Sequence, residues 1–245
     1  MPQDSMATDQ PQDAREDFLA RIRHALGHSA RGEAPAPSER PQRQERFLRQ
    51  VRADDPKRVE RWIDLASKNG VQVRRTRNAG ITAAIDACLS AGAAQAEMAV
   101  TKIQSIMLNL ADLPDDQIAA HLRDQGYRLH RWTEENCSRT VFECDASITD
   151  CRYGLADTGA MMVWSDPGFG RSTTLTVPLH IVLLPAGRIV ADMIDAMPRI
   201  LRDTAGKMPS NVVIINGPSK TADIEMNLVT GVHGPKFLYA VVIDD

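Results

Sequence analysis

Polar and apolar positions along this chain fall into two rhythms that alternate from about residue 56 onward. The stretch "PKRVERWIDLASKNG" carries apolar residues three and four apart, with Pro56 near its start and Gly70 at its end, which predicts a helix. "GITAAIDACLSAG" and "PDDQIAAHLRDQG" read as helices too, the second with acids in its first turn, where the helix dipole favours them. Between and after them come short strand-like runs: "VQVRR", "EMAVTK", "AMMVWS", "HIVLLP", "NVVIING" and "FLYAVVI", with "GRIVADMIDAMPRIL" as a helix before "NVVIING". Continuous apolar runs such as "IVLL" and "VVII", interleaved with helices, imply an α/β protein with an open, mostly parallel sheet sandwiched by helices.

The amino-terminal region has a different texture. Residues 13 to 26 place Phe18, Leu19, Ile22 and Leu26 at helical spacing, with Gly27 as the stop. The following "GHSARGEAPAPSERPQRQ" is rich in Pro, Ser, Arg and Gln and nearly lacks large apolar residues, so it reads as a linker. The expected division is residues 1–44 as helix plus flexible Pro/Arg-rich linker and 45–245 as the folded domain. From Arg40 to Arg61, seven arginines and one lysine stand against four acids, a solvated helix face in the simplest reading.

Charge narrows the function classes. With 29 basic and 32 acidic residues the formal charge is −3, which offers no general attraction to nucleic acid or anionic membrane. No apolar run approaches the roughly 20 residues that span a bilayer, and the polar start lacks the apolar stretch of a signal peptide, so a cytoplasmic location is expected. Cys137, Cys144 and Cys151 are spaced by seven and Cys88 stands apart, which matches neither a zinc pair nor a ferredoxin cluster. Free thiols in a reducing compartment are the simpler reading, and no metal or cofactor bound by this chain is expected.

Two polar loops follow or precede apolar runs. In "GLADTGAMMVW" the glycines allow close backbone approach to a ligand, with Asp157 as acceptor, Thr158 as donor and Gly159 beside them. A tight turn whose Asp and Thr bond their own backbone accounts for the same residues. In "NGPSKTADIEMNLVTGVHGP", Ser219 or Thr221 can cap a helix, with Asp223 and Glu225 in its first turn and Gly231 at its end. His233, between two glycines and Pro235, has no packing purpose in such a turn, which favours a functional role. His180, ahead of "IVLL", also fits a satisfied histidine at a strand start and ranks below His233. "SDPGFGRSTTLTVP" reads as a surface loop or as a flap whose Arg171 binds an anion. Because ligands in open α/β sheets collect beyond the carboxyl ends of the strands, both polar loops are expected there, forming one site.

The segments "SITDCRYGLADTGAMMVW", "GRSTTLTVPLHIVLL" and "NGPSKTADIEMNLVTGVHGPKFLYAVVID" resemble the lactate-utilisation (LUD) domain, in particular its lactate utilisation protein C type, over roughly residues 45 to 245. The ADIE…GVHGP element is the specific part. Ser147 stands where the family usually has glycine, Asp157 replaces a glutamate, Ala160 replaces a threonine, and "TTLTVPLHI" replaces "SLLPxxHI". The resemblance implies a fold similar to the ribose-5-phosphate isomerase and CoA-transferase group.

It also implies a role as a component of a cytoplasmic L-lactate oxidation system. Partner subunits would then carry the iron–sulfur clusters, and this chain would bind a small anionic ligand or those partners. On that reading Thr158, Gly159, Arg171, Ser219 and Thr221 bind the ligand. The alternative is a stand-alone CoA-transferase-like or sugar-phosphate isomerase-like enzyme, with Asp157, Glu225 and His233 as the candidate catalytic groups.

Overall fold

A computed structural model describes residues 11–25, 49–95, 103–111, 113, 115–133, 139–222 and 228–244. By its internal contacts the chain divides into residues 1–48 and 49–245. The first unit contains helix α1 (Pro11–Ala25), where the apolar spacing predicts one; the linker sequence after it lies outside the described residues.

The second unit begins its regular structure with α2 (Arg58–Lys68), β1 (Gln72–Arg77) and α3 (Ile81–Gln95). It continues with β2 (Ser105–Asn109), α4 (Asp115–Asp124), β3 (Arg128–His130), β4 (Ala146–Asp150), β5 (Tyr153–Leu155) and β6 (Ala160–Trp164). Then come α5 (Ser172–Leu175), β7 (Leu179–Pro185), β8 (Ile189–Val190), α6 (Met193–Asp203), β9 (Val212–Ile215), β10 (Lys220–Ala222), β11 (Leu228–Thr230) and β12 (Phe237–Asp244). The strand expected at "EMAVTK" lies outside the described residues; the observed strand follows it at "SIMLN", buried at every position.

Six strands form one sheet in the order β1-β12-β7-β4-β2-β3, parallel at every pairing. Alternation along β7 and β12 sends Leu179, Ile181, Leu183, Tyr239, Val241 and Ile243 to one face, where they pack with Ile85 and Leu89 of α3 and Ile118 and Leu122 of α4. The opposite face, carrying Val182, Leu184, Leu238, Ala240 and Val242, packs against Trp62 and Ala66 of α2 and Met161 and Val163 of β6. The central strands are therefore apolar on both sides, which is why they read as continuous runs.

The second face is covered by more than helices. A four-stranded sheet, β8-β5-β6-β9, lies over it, with β5–β6 and β6–β9 antiparallel. "AMMVWS" and "NVVIING" supply β6 and β9 of this cover, so they are not strands of the central sheet. Helix α6 closes its outer side, burying Ala196 and Ile200 against Tyr153, Leu155, Met162 and Trp164. Asp192 caps α6 by accepting from the Asp195 N–H at 3.0 Å.

The cover is fixed at α2. Trp62 is fully buried, and its indole N–H donates to the Ala160 carbonyl at 2.9 Å. Beside it the β5–β6 turn carries Gly159 at φ +73°, where a Cβ would lie 2.3 Å from the Ala66 backbone nitrogen. Only glycine satisfies both the left-handed backbone and that approach. Gly159→Ala is therefore expected to lower stability by about 2 kcal/mol or more, from overpacking and backbone strain together. Gly206 has φ +81° with nothing near its missing Cβ, so Gly206→Ala should cost only about 1 kcal/mol. Urea denaturation of the two variants checks the contrast; equal losses would contradict the packing role.

Candidate functional site

The sheet face beneath the cover is not apolar throughout. In parallel register Ser147 of β4 pairs with His180 of β7, and Thr149 sits two residues farther along the same face. All three side chains are buried. His180 Nε2 lies 2.9 Å from Thr149 Oγ1, while His180 Nδ1 and Ser147 Oγ meet no hydrogen-bond partner among the described residues. A buried polar atom left unpaired costs about 1–3 kcal/mol, so such atoms are rare and point to a use.

His180 lines a cavity of about 270 Å³. Its walls come from three places: β9 and the loop after it (Ile214, Asn216, Ser219), the 233–235 turn, and Thr174 of α5. Lys220 also lines the cavity, and its ammonium donates to the Asn69 carbonyl at 3.2 Å. Two loops are zipped together at the mouth. Ser219 N–H donates to the Pro235 carbonyl at 2.9 Å, Gly231 N–H to the Ser219 carbonyl at 3.0 Å, and His233 N–H to Ser219 Oγ at 3.3 Å. Ser219 and His233, singled out by sequence, thus share one cavity with His180.

Two expectations change here. His180, Ser147 and Leu238 are each the second residue of a parallel strand, so the cavity lies at the amino ends of the central sheet and not at the carboxyl ends. The carboxyl ends of β2 and β4 are occupied by chain: Asn109 Nδ2 donates to the Gly168 carbonyl and Ala111 N–H to Asp150, at 2.7 and 2.9 Å. "GPSKTADIE" forms no helix over its described part, because Lys220–Ala222 pair antiparallel with Leu228–Thr230. The β-branched Val229 and Thr230 favour that ladder. Thr221 lies on this hairpin opposite Val229, and Glu225 lies outside the described residues.

The remaining sequence candidates sit elsewhere. Asp157, Thr158 and Gly159 form the β5–β6 turn, with Thr158 Oγ1 donating to Asp157 at 3.2 Å and Gly159 pressed on α2. Burial, with Asp192 nearby, raises the Asp157 carboxyl above its ordinary range, although bonding to Thr158 opposes this. Asn69 links the turn to a residue of the cavity lining, donating both to the Thr158 carbonyl and to Asn216 Oδ1. Arg171 is exposed at the start of α5 and lines a separate cavity with Trp132 and Phe169.

Cys88, Cys144 and Cys151 are buried in three different apolar clusters, and burial raises each thiol, Cys88 and Cys144 to about 11. They stay protonated at neutral pH and are poor nucleophiles. Cys137 lies outside the described residues.

The cavity thus presents an ammonium, two imidazoles, hydroxyl and amide groups, and an apolar wall from Val213, Ile215 and Leu238. Such a set suits a small ligand with one anionic end and one apolar end. A family model described as the LUD domain matches residues 59–243. The chain belongs to the LUD-domain family. Relatives similar to it include lactate utilization protein C of Shouchella clausii, 37% identical over 118 residues, and lactate utilization protein C of Bacillus subtilis, 38% identical over 114. The matched stretches cover 46% and 45% of this chain, which spans about half the length of those relatives, 52% and 47%. The crystal structure of a DUF162 family protein from Deinococcus radiodurans has a fold similar to that of this chain. Its TM-score is 0.53 at 16% identity, over 76% of this chain and 96% of that one.

His180 was the candidate that sequence ranked low. Its signal was the polar pair Ser147 and Thr149 in an otherwise apolar strand, but only the register shows them beside His180.

Burial lowers the His180 imidazole from its ordinary 6.5 to about 3. It is therefore neutral in the folded chain while the unfolded chain takes up a proton below about 6.5. This contribution to stability is complete above pH 6.5 and drains as pH falls toward 3, by up to about 1.4 kcal/mol per unit. His180→Gln should flatten the stability profile between pH 7 and 4 in urea titrations. An unchanged profile would show that another group titrates there.

Proposed function

We propose that this chain is a cytoplasmic component of a lactate-utilisation system, and that the His180 cavity binds a small monocarboxylate such as L-lactate or pyruvate. The names of its relatives support the setting, and on this reading electron transfer falls to iron–sulfur partner subunits. The observation that carries ligand binding is the fully buried His180, a residue of the cavity lining whose Nδ1 meets no hydrogen-bond partner among the described residues.

A neutral imidazole has one donor and one acceptor nitrogen. With Nε2 engaged by Thr149, Nδ1 is left to pair with a ligand carboxylate or hydroxyl according to tautomer. Lys220 supplies positive charge, Ser219 and Asn216 supply further polar contacts, and the β9 wall accommodates a methyl group. His233 is exposed at the rim, where it can meet ligand or partner. The stand-alone enzyme reading is not favoured: Asp157, the described carboxylate it would use, sits in the β5–β6 turn and does not line the cavity.

Isothermal titration of the purified chain with L-lactate and pyruvate is expected to show one site, weakened at least about tenfold by His180→Gln or Lys220→Ala. In a host whose growth on L-lactate needs this gene, wild type should restore growth fully and His180→Gln or His233→Ala poorly. No binding at millimolar ligand, together with full rescue by both variants, would overturn the proposal.

A further inference from the structure

A second cavity, of about 720 Å³, lies on the outer side of the β8-β5-β6-β9 sheet, beside α6. Among the described residues it is lined by Arg152, Arg188, Arg199 and Arg202, with Asp166 and Asp203 beside them. The arginines come from three parts of the chain. Arg152 leads into β5, Arg188 precedes β8, and Arg199 and Arg202 stand three apart on one face of α6. Bringing them together raises their mutual repulsion, which an anion between them relieves.

The cavity is built and not merely exposed. The Arg152 side chain is 12% exposed, holds Asp166 at 2.5 Å and lies 5.1 Å over the Trp164 ring. Tyr153 donates its hydroxyl to Asp203, and Arg202 pairs with the same carboxylate at 3.1 Å. Burial would raise the Asp203 carboxyl, but these two partners outweigh it and hold the group below its ordinary value, so it remains ionised. The two aspartates thus hold Arg152 and Arg202 in place.

The geometry points to a phosphate-monoester site: we propose that this cleft binds a phosphorylated small molecule. A phosphate monoester near neutral pH carries up to two negative charges, and the planar guanidinium forks of four arginines around one cleft suit its oxygens. The volume exceeds that of a bare oxyanion and leaves room for an organic part along the Tyr153 and Trp164 edges. The site shares no residue with the His180 cavity and does not depend on its assignment.

Isothermal titration of the full chain in a non-phosphate buffer, with inorganic phosphate and glycerol 3-phosphate as probes, tests this. Glycerol 3-phosphate is expected to bind more tightly than phosphate, several-fold more weakly as salt rises from about 50 to 200 mM. Arg199→Gln with Arg202→Gln should weaken it at least about tenfold, with thermal unfolding unchanged. The double variant should leave L-lactate titration as in wild type, and His180→Gln should leave glycerol 3-phosphate binding as in wild type. In wild type, the ester should shift the Trp164 indole N–H resonance and spare that of Trp62, a readout that needs no variant. No binding of the ester, or binding equal in the double variant, would overturn the proposal.

Discussion

One buried contact holds the layers of the 49–245 unit in register: the Trp62 indole N–H on the Ala160 carbonyl. A parallel sheet must be covered on both faces, and here the second face is covered by an antiparallel sheet that needs its own anchor. Trp62 provides it by reaching from α2 into the β5–β6 hairpin, next to Gly154, where a Cβ would come within 3.0 Å of the indole nitrogen. Gly159 brings the hairpin turn onto the same helix. If the indole lost its acceptor, the unpaired N–H alone would cost about 1–3 kcal/mol, and the small residues around it leave little room to adjust.

The position of the His180 cavity follows from where that cover ends. Val182 and Leu184 of β7 are sealed under β6 and α2, but His180, two residues before Val182, lies where β9 gives way to the 216–219 loop. That loop and the 231–235 turn close over it through hydrogen bonds made by Ser219. The result is a small recess at the amino ends of the parallel strands, with an apolar floor and a buried neutral histidine. On the far side of the cover the same hairpin exposes its other face to α6, and there the arginines collect. One layer of chain therefore carries two unlike cavities, one suited to a small carboxylate and one to a phosphate ester.

Much of this architecture is legible in the residues. The runs "HIVLLP" and "FLYAVVI" mark the centre of the sheet because both of their faces are buried, and Trp62 and Ala66 mark the α2 face by their spacing of four. The second sheet was not legible, since β6 and β9 are as apolar as central strands and only pairing distinguishes them. "GPSKTADIE" carries helix-capping residue types, yet the Lys220–Ala222 part pairs with a distant segment, a tertiary contact that local propensity does not encode. Ser219 and His233, which their loops single out, line the same cavity as His180. The surroundings of His180, Ser147 and Thr149 on the neighbouring strand, depend on parallel register and are not legible along the chain. The arginine cleft was invisible for the same reason: its four members are scattered between positions 152 and 202.

The central claim is that His180 contacts the ligand directly through Nδ1. Nitrogen-15 resonances of the imidazole, recorded while L-lactate is added to the full chain at pH 7, test it most directly. The account predicts that the Nδ1 resonance of His180 shifts in a saturable way while Nε2, held by Thr149, moves less. Saturable lactate binding with both His180 nitrogens unmoved would contradict it and place the ligand elsewhere on the chain.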